Sequence, residues 1–359
     1  MRSAPCRTFV LSMGGHGVKP HTFIDLFCGA GGMALGFVQA GFKSVYAVDF
    51  DKLAAETYRR NFKHEVWDGP IESLDRIPVK AEIIIGGPPC QGFSPLGKMI
   101  PLAEHRSMNK LWRHYMRIVE QVNPTVFIVE NVPEFLRSLE FKSLERKATE
   151  LGYEIAAAVL NAVEYGVPQQ RKRTFVVAVK GGTPRLPPPT TGRMTVRDAI
   201  GDLPLQPTGV DWHIGRNPTP KSVKRYRCVP PGGNRFDLIK KRPDLAPRCW
   251  LNKPTGSTDV FGRLEWDKQA LTIRTEFFKP EKGRYLHPQA DRPITHLEAA
   301  RLQTFPDDFE FYGSKIQVAR QIGNAVPPKL ARAVAAEVRA ILEEIKQRRM
   351  GSEKQLARI

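Results

Sequence analysis

One cysteine in the chain has neighbours that suit a nucleophile. Cys90 lies in Gly86-Gly87-Pro88-Pro89-Cys90-Gln91-Gly92-Phe93-Ser94, directly after an apolar, β-branched run at residues 83–85. The prolines restrict the backbone, and the glycines leave room for a substrate to approach closely. Most buried cysteines are inert core residues, so a lone thiol would carry little weight. The Pro-Pro-Cys sequence at a strand end instead favours a rigidly held, accessible thiol that could attack an electrophilic carbon.

A carboxyl group and two guanidinium groups are expected at the same edge as this thiol. Glu130 follows the apolar run at residues 126–129, while Arg171 and Arg173 precede another run at residues 175–179. Alternate residues of an extended chain point to the same side, so the two arginines are expected to point together. Each group has an ordinary alternative role, as a helix cap or a surface ion-pair partner. Their convergence with the thiol favours a catalytic site.

A second set of residues indicates a pocket for a nucleoside. The first apolar run leads into Asp25-Leu26-Phe27-Cys28-Gly29-Ala30-Gly31-Gly32, a glycine turn that lets backbone approach a ligand but departs from the dinucleotide pattern GxGxxG. Asp49 could accept hydrogen bonds from ribose hydroxyls, Phe50 could stack on adenine, and Asp68 could accept from the adenine amino group. S-adenosylmethionine fits, because it carries an amino-acid tail instead of phosphates. The alternative to a ligand pocket is that the glycines form an ordinary tight turn and that the acids act as caps.

These residues require a sheet that brings strand ends together. Apolar strands alternate with helices, which predicts an α/β fold with a doubly wound, mostly parallel sheet. Strands are expected at residues 22–27, 44–48, 83–85, 126–129 and 175–179, and helices at residues 33–40, 52–61, 110–121, 296–304 and 329–347.

The charge balance indicates a polyanionic partner. The chain has 55 Lys and Arg against 37 Asp and Glu, a net charge of +18. Residues 185–292 hold 21 basic and 11 acidic residues, so 21 − 11 = +10 of this charge lies there. No apolar run approaches the ~18 residues that span a membrane. The charge of residues 185–292 therefore predicts a smaller, loop-rich basic domain. A disordered linker is disfavoured, because several aromatic residues in this range could form a core.

The cysteines and the domain boundaries complete the expectations from composition. Five cysteines, an odd number without metal-ligand spacing, favour a reducing, cytoplasmic location and neither disulfides nor a metal site. We expect a monomer. Its segments are a flexible leader (1–20), a catalytic and cofactor-binding domain (21–182), a smaller basic domain (183–293), a C-terminal helical part (294–348) and a flexible tail (349–359).

Taken together, the motifs of the chain resemble those of the cytosine-C5 DNA methyltransferase family, and they do so from Phe23 to about Ala335. All occur in the family's order. They are the glycine turn, Asp49, Pro88-Pro89-Cys90-Gln91, Glu130-Asn131-Val132, Gln169-x-Arg171-x-Arg173, Glu298-Ala299-Ala300-Arg301-Leu302-Gln303-Thr304-Phe305-Pro306 and Gln321-Ile322-Gly323-Asn324-Ala325-Val326-Pro327-Pro328.

The resemblance implies a mechanism in which the Cys90 thiolate adds to C6 of a flipped-out cytosine in double-stranded DNA. C5 then attacks the methyl group of S-adenosylmethionine. Glu130 would hydrogen-bond or protonate N3, while Arg171, with or without Arg173, would hold O2. The base that removes the C5 proton is not identified by the sequence.

The resemblance also implies the remaining site residues. Residues 94–109 resemble the family's mobile catalytic loop. The basic domain (183–293) occupies the place of the family's target-recognition domain, with Arg263, Arg274 and Lys279 as candidate DNA contacts. The resemblance also implies that residues 294–348 return to the catalytic domain. The size is that of a bacterial modification enzyme, either paired with a cognate restriction endonuclease or solitary. The cofactor contacts would be Phe27, Gly29, Gly31, Gly32, Asp49, Phe50, Asp68, Pro88, Leu111, Asn324 and Val326.

Three alternative functions are weaker. An enzyme of the same fold acting on cytosine in tRNA is disfavoured by the large basic insert and by Gly92-Phe93-Ser94 after the thiol. A catalytically silent DNA-binding relative is disfavoured because every residue needed for chemistry is present. A dinucleotide oxidoreductase lacks its GxGxxG turn.

Replacing Cys90 with serine tests the nucleophile. A hydroxyl is far less ionised than a thiol, so Cys90→Ser should abolish methyl transfer and leave cofactor binding largely intact. Methyl incorporation from labelled cofactor and calorimetric cofactor binding measure the two properties. Full activity in this variant would refute the mechanism.

Overall fold

The computed structural model describes residues 19–89, 111–190, 192–252 and 255–356, with side chains as far as residue 352. Cys90 and the expected catalytic loop at residues 94–109 lie outside these ranges, as does most of the expected leader.

A seven-stranded sheet forms the centre of the described structure. Its order is β3-β2-β1-β4-β5-β8-β6, and among these seven β8 alone runs in the direction opposite to the other six. This confirms the expected mostly parallel, doubly wound sheet, and all five expected strands are present. The strands are β1 (Thr22–Leu26), β2 (Lys43–Val48), β3 (Val66–Trp67), β4 (Ile83–Gly86), β5 (Val126–Asn131), β6 (Glu154–Asn161) and β8 (Lys172–Val179); β7 (Gln169–Gln170) lies outside the sheet.

Helices cover both faces of the sheet with apolar side chains. One face packs against α1 (Gly32–Gln39), α2 (Lys52–Phe62) and the C-terminal helix α11 (Pro328–Leu356). The other face packs against α3 (Leu111–Val122) and α4 (Leu139–Glu150). Both ends of the chain therefore contribute to one layer, and α11 continues beyond its expected end at residue 347.

The basic region forms short elements around a small core of its own. Tyr226, Phe261 and Leu286 are among its buried residues, so a disordered linker is excluded for the described part of this region. The elements are α5 (Val196–Ile200), α6 (Pro220–Arg227), α7 (Arg235–Lys241), α8 (Arg248–Leu251), β9 (Gly262–Arg263), β10 (Ala270–Leu271) and β11 (Arg284–Leu286). β9 pairs with β11, while β10 pairs with β7 of the preceding segment.

Two helices join this region to the sheet domain. They are α9 (His296–Leu302) and α10 (Lys315–Asn324), and a third apolar cluster links them to the start of α1 and to the basic region. Among the described residues, no helix combines the length and the apolarity that crossing a membrane requires.

Gly36 on α1 provides a test of how α1 packs against α11. A Cβ there would lie 2.5 Å from the carbonyl oxygen of Pro328 and 2.6 Å from the amide nitrogen of Arg332, backbone atoms that cannot rotate away. Although alanine is the better helix former by about 1 kcal/mol, overpacking should dominate. We expect Gly36→Ala to lower the free energy of unfolding by about 1–3 kcal/mol, measured by urea denaturation.

Gly351 on α11 is the matched control, because apart from the adjacent backbone of its own helix no described atom lies within 4 Å of the position that a Cβ would take there. Gly351→Ala should leave the stability unchanged or raise it by up to about 1 kcal/mol. Equal stability of the two variants would contradict the packing described for Gly36.

Candidate active site

The segment that leads to Cys90 is held beside Glu130. β4 and β5 are parallel neighbours, so their C-terminal ends lie side by side. Asn131 Nδ2 donates a 2.9 Å hydrogen bond to the carbonyl oxygen of Pro88, which is buried. A Cβ on Gly87 would lie 3.1 Å from Glu130 Oε2. This anchoring role of Asn131 was not expected from the sequence, in which only its place directly after Glu130 stands out.

Glu130 forms an ion pair with Arg173. The Nε–Oε1 distance is 3.0 Å, and the two side chains are only 13% and 18% exposed. Antiparallel pairing of β5 with β8 sets Asn131 opposite Thr174, and the side chains of the residues directly before them, Glu130 and Arg173, lie close together. Burial raises the pKa of Glu130, while the charges of Arg173 and then Arg171 oppose that rise. Glu130 is therefore a carboxyl that holds a proton more tightly than usual.

Arg171 differs from its expected orientation. It lies between β7 and β8, is 1% exposed, and hydrogen-bonds to backbone carbonyls of distant segments instead of joining the ion pair. Burial lowers the pKa of its guanidinium well below the usual range. The alternation rule fails here because the strand β8 begins only at Lys172, so the two arginines do not share one regular strand.

Arg263 is not available to contact DNA, which corrects one expectation. Its side chain is 4% exposed and donates to four backbone carbonyls and to the carboxylate of Asp291. It therefore holds the small core of the basic region together. Arg274 is exposed, and Lys279 pairs with Glu276 and lies over the ring of Phe278, so these two stay predictions.

The glycine turn has the backbone shape expected of a ligand-binding turn. Gly29 and Gly31 have φ angles of +53° and +92°, and nothing lies within 4 Å of a Cβ built on Gly29. Phe27, directly before the turn, also has a positive φ of 58°. Such a conformation is strained for a residue with a side chain, and strain of this kind is common at functional sites.

The C-terminal motif lies against this turn. A Cβ on Gly32 would be 2.4 Å from the carbonyl oxygen of Val326, so the two segments touch. Val326 is buried, while Asn324 is exposed at the end of α10. Leu111, the first described residue of α3, and Phe27 both pack against the apolar cluster that contains α3 and α4.

The expected ribose and adenine contacts follow strands β2 and β3. Asp49 Oδ2 accepts from the amide of Gly29 at 2.7 Å, and its Oδ1 accepts from Asp51 at 2.8 Å. Burial raises the pKa of Asp49, and these amide hydrogen bonds oppose the rise. Phe50 is 74% exposed, which leaves a ring face free for stacking, and Asp68 accepts from Arg59 at 2.9 Å. Each acid keeps lone pairs that a ligand could use.

The strand order, together with the site at the strand ends, places this protein in the class of α/β methyltransferases. The family model described as C-5 cytosine-specific DNA methylase matches residues 21–340, and this chain belongs to that family. Its activity is methylation of cytosine at C5 in DNA.

Relatives of similar sequence match most of the chain. The Type II methyltransferase M1.HphI of Haemophilus parahaemolyticus is 34% identical over 88% of this chain and 86% of its own. The Type II methylase M.HgiDII of Herpetosiphon aurantiacus is 34% identical over 90% and 97%. A solved structure, a candidate DNA modification methyltransferase encoded within an E. coli prophage, superposes with a TM-score of 0.70 at 26% identity, covering 90% of this chain and 99% of that one.

Removing the charge of Arg173 tests its influence on Glu130. A nearby cation favours the carboxylate, so Arg173→Met should raise the pKa of Glu130 further, whereas Arg173→Lys should raise it less. Carboxyl ¹³C shifts of labelled glutamate, with the signal assigned through Glu130→Gln, follow the titration. An unchanged or lower pKa in Arg173→Met would contradict the pairing.

Proposed function

We propose that this protein transfers a methyl group from S-adenosylmethionine to C5 of a flipped-out cytosine through a covalent adduct between Cys90 and C6. The observation that carries the proposal is the Glu130–Arg173 pair, which lies beside the segment that ends at Pro88 and leads to Cys90. The family membership of the chain supports cytosine C5 in DNA as the target.

In the proposed mechanism, attack of the Cys90 thiolate on C6 breaks the C5–C6 double bond and moves electron density towards N3 and O2. Burial raises the pKa of Glu130, which suits this carboxyl to hydrogen-bond to N3 or protonate it and so to neutralise the developing charge. The guanidinium of Arg173 then suits O2. C5 becomes nucleophilic and takes the methyl group, with S-adenosylhomocysteine as the by-product. A base then removes the C5 proton, the double bond re-forms as the Cys90 thiolate leaves, and any proton given to N3 returns to Glu130.

S-adenosylmethionine would supply an electrophilic methyl group on a sulfonium. The open glycine turn would receive its amino-acid end near Asn324 and Val326. Asp49 would accept from the ribose, the exposed ring of Phe50 would stack on adenine, and Asp68 would accept from its amino group. Phe27, Pro88 and Leu111 would line the pocket between these groups.

DNA recognition is proposed for the basic region at residues 183–293, with Arg274 and Lys279 as candidate contacts. Its excess of positive charge supports phosphate contacts, which position a duplex before base edges are read. The Type II names of the relatives support a place in a restriction-modification system, where an endonuclease of the same site would be the partner. We propose that the protein works as a cytoplasmic monomer.

The experiment is methyl transfer from labelled S-adenosylmethionine to duplex DNA and, separately, to tRNA. Incorporation into DNA, mapped to its sequence by bisulfite sequencing, is the expected result. Incorporation only into tRNA would favour the RNA alternative, and none into any duplex would refute the proposal.

Glu130→Gln tests the acid. An amide cannot supply the proton, so kcat should fall by about 100-fold to 10,000-fold. The matched control is Glu145→Gln on the exposed side of α4, which should keep native activity. Native turnover in Glu130→Gln would exclude the proposed role of Glu130.

A further inference from the structure

Two side chains beside β7 hold a single residue of the basic region. The amide of Ile273 donates to Gln169 Oε1 at 2.9 Å, and its carbonyl oxygen accepts from Arg171 Nη1 at 3.1 Å. Ile273 is completely buried. The amide and the carbonyl of Ile273 are therefore both held by the segment that leads into β8, the strand that carries Arg173.

The other terminal nitrogen of Arg171 caps a helix. Nη2 donates to the carbonyl oxygens of Gly323 and Asn324, at 3.0 and 3.4 Å, and these are the last two residues of α10. Carbonyls at a helix C-terminus lack intrahelical partners and carry partial negative charge, so a cation is favoured there. A Cβ on Gly323 would lie 2.4 Å from the amide nitrogen of Thr275, so this helix end also touches the residues that follow Ile273.

Arg171 depends on these contacts more than most arginines do. Among the described residues, it has no carboxylate within ion-pair distance, and its Nε has no hydrogen-bond partner. A guanidinium removed from water is costly unless its surroundings satisfy it. Here the hydrogen bonds to backbone carbonyls of two separate segments provide that compensation. Moving either segment away leaves a buried charge less satisfied, so the positions of the segments are energetically linked.

Each linked segment continues into a different binding site. Beyond Asn324 the chain reaches Val326 against the glycine turn, and Ile273 is followed by the exposed Arg274 of the basic region. We propose that Arg171 is a positioning residue that couples cofactor binding to DNA binding. The inference rests on the proposed function for the identity of the two ligands, but it assigns Arg171 no contact with the cytosine.

The test compares native protein with Arg171→Lys. An ammonium keeps the charge but cannot span Ile273 and the end of α10 with a planar fork. The measured quantity is the factor by which saturating S-adenosylhomocysteine changes the Kd of the duplex identified by bisulfite sequencing. For the native protein we expect a factor of about 5 or more, the lower range of known couplings. In Arg171→Lys it should fall to about 1, while each ligand alone still binds.

Arg263→Lys is the matched control. Arg263 is equally buried, yet its acceptors all lie within residues 226–291, so it does not join the two segments. This variant should lose stability in urea as Arg171→Lys does, but keep the native coupling factor. Gln169→Leu removes the acceptor for the Ile273 amide and also the donor to Leu302 and Gln303, but it leaves Arg171 in place. It should give an intermediate factor and serves if Arg171→Lys does not fold.

The outcomes separate this inference from the proposed function. A native factor of 1, an unchanged factor in folded Arg171→Lys, or an equal loss in Arg263→Lys would overturn the coupling role, and methyl transfer would still stand. A native protein that binds neither ligand would overturn both.

Discussion

The candidate active site depends on one reversed strand in an otherwise parallel sheet. Because β8 inserts antiparallel between β5 and β6, its first residues lie at the same edge as the C-terminal ends of β4 and β5. That edge collects Glu130 from β5, Arg173 from β8 and the Pro88 segment after β4. A parallel strand in this place would begin at the opposite edge, and Arg173 would be a strand length away from the carboxyl.

Close approach of α1 to the C-terminal motif is the second constraint. Gly32 and Gly36 lie four residues apart, so they share one side of α1. A side chain on either would strike the backbone of residues 326–332. The same helix begins at the glycine turn. Packing of the C-terminal part of the chain against this helix therefore influences the position of the turn and the shape of the proposed cofactor pocket. This explains why cofactor contacts are expected from positions almost 300 residues apart, such as Phe27 and Asn324.

Local pattern predicted those elements whose own residues determine them. Strands β4 and β5 begin with continuous apolar, β-branched runs, and β1 is apolar apart from Thr22 and Asp25, as buried parallel strands require. β6 was not predicted, because Ala156, Ala157 and Ala158 favour helix, and the strand lies at the sheet edge where burial is partial. The position of Glu130 could be predicted from the sequence, because it directly follows the apolar run that begins β5. The partners of Arg171 could not, since they lie 102 and 152 positions away and local spacing carries no information about them.

Burial of arginines also changes how the charge of the basic region is understood. Arg235, Arg263 and Arg292 point inwards, and Arg292 makes an ion pair with the fully buried Glu298. Such groups add to the field that attracts a polyanion from a distance, but they cannot displace counterions from phosphates. With the basic region as the proposed DNA-binding surface, the salt dependence of binding should reflect its exposed cations, such as Lys221 and Lys240, and correspond to fewer phosphate contacts than 21 basic residues would suggest. In this family member, the excess of basic residues indicates a DNA partner, but some of these residues are buried and stabilise the fold.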